Sequence, residues 1–184
     1  MASLLLPIIY LAFISLGLPD ALLGAAWPTM YPQLGAQVSW AGGVSMIISA
    51  CTILSALASD RLNERLGTGR VTAISVATTA VALLGFSFCH AFWQLCLWAI
   101  PYGLGAGSVD AALNNYVALH YKSRHMSWLH CMWGVGASLG PVIMGQALAG
   151  SGWQGGYRII GILQVVLTVV LLFSLPLWKL PQDA

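Results

Sequence analysis

Six apolar stretches follow one another in this chain with only short turns between them, near 4–31, 38–58, 71–91, 93–119, 127–148 and 157–178. A helix crosses a hydrocarbon core in about 20 apolar residues, so six such helices take up nearly all 184 residues. Charge agrees with this: only 7% of residues are charged and mean hydropathy is +0.83, too little polar surface to cover a soluble globule. Inside a bilayer every backbone group must be satisfied internally, which leaves helices or a closed barrel. Barrel strands alternate apolar and polar residues, and runs such as 165–172 do not. The expectation is an all-α integral membrane protein, a single domain over 1–184. A net charge of +2 gives no basic stripe for phosphates, so no nucleic-acid partner is expected.

The first stretch has no basic leader and continues past Pro19 and Asp20 to Tyr31, so it reads as a true span rather than a secretory signal. Arg61, Arg65, Arg70, Lys122, Arg124 and Lys179 fall on one side of a six-span chain, and Arg158 on the other. Positive residues mark the cytoplasmic side, which predicts both termini inside, in a plasma or inner membrane. Cys51, Cys89, Cys96 and Cys131 form no C-x-x-C pair, and His120, His125 and His130 are spaced by five. That spacing spreads them around a helix, so neither a metal nor a cofactor is expected. No Gly-x-Ser-Gly nucleophile occurs and the last span has no histidine, which argues against a membrane protease; other membrane enzymes would need converging catalytic groups, and the spans offer only two isolated carboxylates, so no enzyme is expected.

An internal repeat is the most informative pattern. Residues 17–23 and 107–113 share G-x-x-D-A-x-L at an offset of 90, and Ser39 with Trp40 recurs as Ser127 with Trp128 at an offset of 88. Two matches at nearly one offset suggest a duplicated three-helix unit, about 4–91 and about 93–178. An odd number of spans per unit turns the second copy upside down. Inverted repeats are typical of secondary transporters, with the binding site near the midplane between them.

Asp20 and Asp110 then need explaining, because an ionised carboxylate at bilayer depth costs roughly 2.5–3.5 kcal/mol even on the lenient insertion scale. Neither has a Lys or Arg nearby on its own helix. A dry environment favours the neutral carboxyl and a wet one the carboxylate, and alternation between the two is what proton coupling requires. Both are candidate proton-coupling residues; the bland alternatives are a carboxyl bonded to a neighbouring helix or one capping the Pro19 kink. Asn114, one turn after Asp110, is either a partner for the hydroxyls of a solute or interhelical glue. Trp27 either stacks on a sugar ring or belongs to the interfacial aromatic belt. His130 and Trp133 are further substrate-binding candidates, with core packing as the alternative for each. Gln164 bonds either solute or a neighbouring helix. Pro19 and Pro101 are expected to kink spans 1 and 4. Gly134, Gly136, Gly140 and Gly145 suit either close helix contact or bending.

Asp60, Arg61 and Arg65 fit the pattern G-x-x-x-D-R-x-G-R-R, with Ala56 and Asn63 in place of its glycines; in this the chain resembles the N-terminal six-helix half of a major facilitator superfamily transporter, where that signature lies in loop 2–3. Gly136, Gly140 and Pro141 resemble its fifth-helix signature, and 105–114 is similar to span 4 of the fucose/proton symporter branch, where an acidic residue precedes Asn by four. The resemblance implies a carrier working by alternating access, with Asp20 and Asp110 as acidic residues, a small polar solute such as a sugar as cargo, and protons as the coupled ion. It also implies that Asp60, Arg61 and Arg65 form a conformational latch, although the arginines serve equally as positive-inside anchors. The superfamily uses twelve helices in two halves. The expectation for this chain is therefore a homodimer, with a separate C-terminal half, a truncated transporter, or a non-transporting scaffold as alternatives.

Overall fold

The computed structural model describes residues 2–178, and Lys179 lies outside them. Seven α-helices follow in order: α1 (Ala2–Gly17), α2 (Leu22–Gln33), α3 (Trp40–Leu66), α4 (Thr68–Ser87), α5 (Phe92–His120), α6 (Ser123–Ala149) and α7 (Gly152–Phe173). A 3-10 turn, Leu175–Trp178, closes the described chain. Five segments are long and apolar enough to cross a membrane: Leu4–Gln33 (α1 and α2 together), α3, α4, α6 and α7. The remaining helix, α5, has 29 residues and spans about 43 Å at 1.5 Å per residue. Its polar and small residues dilute its hydropathy, and the structure explains why it tolerates them. Tyr102, Gly103, Gly105, Gly107 and Ser108 are all buried against neighbouring helices rather than facing lipid.

The first span is broken rather than merely bent. Residues 18–21 are non-helical, with Asp20 N bonded to Gly17 O and Leu22 N to Pro19 O. Pro19 supplies no N–H, which removes one rung of the helical ladder at this break. Pro101, expected to loosen the fourth span, lies inside an unbroken α5. A second difference concerns the turns. The second span, expected to end near 58, runs to Leu66, and only Gly67, at φ 84°, separates α3 from α4. Asp60, Arg61 and Arg65 thus belong to the last two turns of α3, not to a loop. Basic residues there oppose the partial negative charge of the helix end. Likewise α6 begins at Ser123, four residues before the expected 127.

Packing pairs α1 with α6, α3 with α5, and α4 with both α5 and α7. Glycines set the closest of these crossings. A Cβ at Gly17 would lie 2.2 Å from Trp133 O, and one at Gly136 or Gly140 would lie 2.0 or 2.1 Å from the carbonyls of Ile14 or Leu18. Gly103 and Gly107 do the same for α5, with Ile48 O and Thr52 O each 2.6 Å away. Gly134 and Gly145 have nothing within 4 Å. Close contact thus accounts for Gly136 and Gly140 but not for their two companions. The α3–α4 turn, the C-terminal end of α5 and the final 3-10 turn meet around one cavity, lined by Asn63, Arg70, His120 and Trp178 among others. α3 and α6 are the least enclosed of the apolar spans and α4 the most.

Candidate functional site

The break at residues 18–21 puts Asp20 at the wall of a cavity of about 410 Å³ between α1, α3, α5 and α6. Both carboxylate oxygens are hydrogen-bonded: Tyr102 donates its hydroxyl to Oδ1 at 2.9 Å, and Trp133 donates Nε1–H to Oδ2, also at 2.9 Å. Two donors from two different helices hold the side chain across the bundle. Asp110 lines the same cavity from α5, two turns beyond Tyr102, and accepts from Asn114 Nδ2 at 2.9 Å, while the same amide donates to the Asp110 backbone carbonyl at 2.7 Å. His130 lines the same cavity from α6.

A hydroxyl ladder fixes the face that α5 turns to this space. Thr52 Oγ1 donates to Ile48 O at 2.8 Å and reaches Gly103 O at 3.3 Å; Ser55 bonds both Leu104 O and the Ser108 hydroxyl. With glycine contacts on either side, α3 and α5 approach too closely for α5 to rotate. That register leaves Tyr102, Ala106 and Asp110, four residues apart, as one stripe on the cavity wall. Asp20, Asp110, His130 and Trp133 are all exposed on this surface. Both carboxylates therefore border one cavity together with Thr52, Tyr102, His130 and Trp133, and polar company of this kind lowers the cost of a carboxyl at membrane depth.

Of the residues singled out from sequence, Asp20, Asp110, His130 and Trp133 come together, with Asn114 joined through Asp110. Trp27 does not. It is 5% exposed, donates Nε1–H to Val38 O at 2.7 Å, and packs its ring against Tyr31 and Phe92 at the far end of the first span. Gln164 is buried and donates to Ser15 O at 2.5 Å, joining α7 to α1. Asp60, Arg61 and Arg65 are exposed at the end of α3, away from the cavity. Sequence reasoning missed Tyr102 and Thr52. Tyr102 was findable: it precedes Asp110 by eight and Asn114 by twelve on one helical stripe.

Fold and site together define an integral, multi-pass membrane protein with a polar cavity inside its helical bundle. The profile of the Major Facilitator Superfamily matches residues 9–183, and the chain belongs to that superfamily. Its members are membrane transporters of small solutes, not enzymes. No curated protein matches the chain.

Proposed function

We propose that this protein is a proton-coupled carrier that moves a sugar or similar small polar solute by alternating access, with Asp20 and Asp110 as the proton-carrying groups. The observation that carries this is the meeting of those two carboxylates in one cavity, one cradled by Tyr102 and Trp133 and the other by Asn114. Neutral hydroxyl-bearing solutes are the cargo best suited to a wall of amide, indole, imidazole and carboxyl groups, which donate and accept hydrogen bonds at short range. Trp133 offers an exposed ring for stacking, and Asn114 and His130 offer polar contacts. Within the superfamily, the stretch 105–114 favours the fucose/proton symporter branch.

The six helices are two inverted three-helix repeats in this reading. Two of the main packing pairs support it: exchanging the first three spans with the last three turns the α1–α6 pair into α5–α3 and maps α4–α7 onto itself, whereas the extensive α4–α5 pair has only a minor counterpart in α1–α7. Gly17 and Gly107, equivalent in the repeat, each meet the backbone of the helix that the exchange requires, α6 and α3 respectively. The other wall of the cavity comes from a second six-helix unit packed on the uncovered faces of α3 and α6. We assign it to a second copy of this chain, with the basic ends cytoplasmic and each carboxylate appearing twice around one cavity. Asp60, Arg61 and Arg65 act as a latch at that end.

Reconstitution into liposomes tests the proposal, with a panel of labelled neutral hexoses and pentoses and an imposed inward proton gradient. Accumulation of at least one sugar, lost in Asp20→Asn and in Asp110→Asn, is expected. Accumulation that survives both substitutions overturns the coupling, and absence of any uptake favours a scaffold. Native mass spectrometry from mild detergent should give the mass of two chains; a single-chain mass accompanied by uptake would overturn the dimer.

A further inference from the structure

Asp20 lines a second, smaller cavity of about 180 Å³ on the side of α2 and the start of α3, bordered by Ser45, Ser49 and Tyr157. Asp20, Ile48 and Tyr102 are the residues common to both cavities, so they form the partition between them. The two hydrogen bonds to Asp20 differ in one chemical respect. An indole N–H only donates, so Oδ2 facing Trp133 must remain an acceptor in either charge state of the carboxyl. A phenolic hydroxyl donates or accepts, so Oδ1 facing Tyr102 is the oxygen that can take a proton without losing its partner.

From this the geometry points to Tyr102 as the proton relay of Asp20, with the transferred proton residing on Oδ1. This rests on the proposed coupling at Asp20 and adds a route to it. The Tyr102 O–H bond breaks as an O–H bond forms at Oδ1. In the same step a hydronium ion in the smaller cavity gives its proton to the phenolic oxygen and leaves as water. Tyr102 then accepts from the neutral carboxyl and points its new hydrogen toward the smaller cavity. Release runs in reverse. The titratable groups around Asp20 are Tyr102 and Asp110 on α5, His130 on α6 and Tyr157 on α7; α3 contributes Ser45, Ser49 and Thr52, and α4 contributes Leu83 and Phe86. Of these, Tyr102 alone is hydrogen-bonded to the Asp20 carboxylate through a hydroxyl, among the described residues.

Two readouts test the relay. Infrared difference spectra of the purified protein across a pH titration report the carboxylic C=O stretch without any solute, and the Asp20 band is identified by its loss in Asp20→Asn. With the proton on Oδ1, the C=O is Oδ2. Trp133→Phe should therefore move the band to higher frequency, and Tyr102→Phe should leave it nearly in place. The opposite pattern places the proton on Oδ2 and overturns the assignment. In liposomes, net uptake needs proton loading and release, whereas solute exchange at equilibrium needs neither. The ratio of net uptake to exchange should fall on the order of 100-fold in Tyr102→Phe, the range of one positioned proton-transfer group, and hold near the wild-type value in Trp27→Phe, which lies away from the cavity. An unchanged ratio, or an equal fall in both variants, refutes the relay. If Asp20→Asn itself accumulates sugar or retains the band, the coupling at Asp20 fails, not just the route.

Discussion

Gly136→Ala is the most informative single change to the scaffold. The added methyl carbon would sit 2.0 Å from Ile14 O, 2.9 Å from Ile14 C and 3.0 Å from Leu18 N. Carbon and carbonyl oxygen approach comfortably to about 3.3 Å, so α1 must retreat by about 1.3 Å. All three obstacles are backbone atoms, and no side chain can rotate aside. Overpacking of this kind costs ~1–3 kcal/mol. It should also break the 2.9 Å bond between Trp133 and Asp20, because α6 carries one partner, α1 leads into the other, and the bond fails beyond about 3.5 Å. Gly134→Ala is the control: nothing lies within 4 Å of its Cβ, and alanine favours a helix interior over glycine by about 1 kcal/mol. The two variants should differ in stability by ~2–4 kcal/mol. Thermal unfolding in detergent, followed by circular dichroism, reads the difference. If Gly136→Ala melts at or above Gly134→Ala, the close α1–α6 crossing is wrong, and with it the placement of Asp20 against Trp133.

Three further outcomes are expected. Trp27→Phe removes the donor to Val38 O and should cost about 1 kcal/mol of stability while leaving solute affinity as in wild type; a large fall in affinity would return Trp27 to the binding site. Replacing Arg61 and Arg65 together by Gln should change stability by less than about 0.5 kcal/mol, as usual for exposed sites, yet slow net uptake if they latch the carrier. Unchanged uptake would leave them as topological anchors. Asn114→Ala should leave the fold intact and weaken proton coupling through Asp110, seen as uptake that no longer responds to an imposed gradient; a full response would make Asn114 a helix-packing residue.

The overall architecture was legible because hydrocarbon imposes it: spans of about 20 apolar residues are visible as such. Asp20 and Asp110 were legible for the same reason, since a carboxylate at membrane depth demands a purpose. What composition could not reveal was where helices end. Beyond the hydrocarbon, polar residues are as content in a helix as in a turn, so α3 continues through Asp60, Arg61 and Arg65 to Gly67. The contrast between Pro19 and Pro101 was equally hidden. Both remove one N–H, yet only the first span breaks, at the point where Gly17 meets the Trp133 carbonyl. Trp27 illustrates a different limit. Its aromatic ring suggested stacking on a sugar, but the ring packs against Tyr31 and Phe92 and the indole N–H goes to Val38 O. Tyr102 was overlooked because tyrosine carries no formal charge and therefore no conspicuous cost. Its hydroxyl lies 2.9 Å from Asp20 Oδ1, a contact between helices that no spacing along the sequence displays.

Solute and proton are proposed to move together through one cavity, on Asp20 and Asp110. The most direct measurement is proton movement on addition of a transported hexose or pentose to de-energised liposomes containing the protein, followed with an external pH electrode. Wild-type protein should alkalinise the medium as sugar enters, and Asp20→Asn and Asp110→Asn should not. Sugar entry without alkalinisation in the wild type, or equal alkalinisation in all three proteins, would contradict the account.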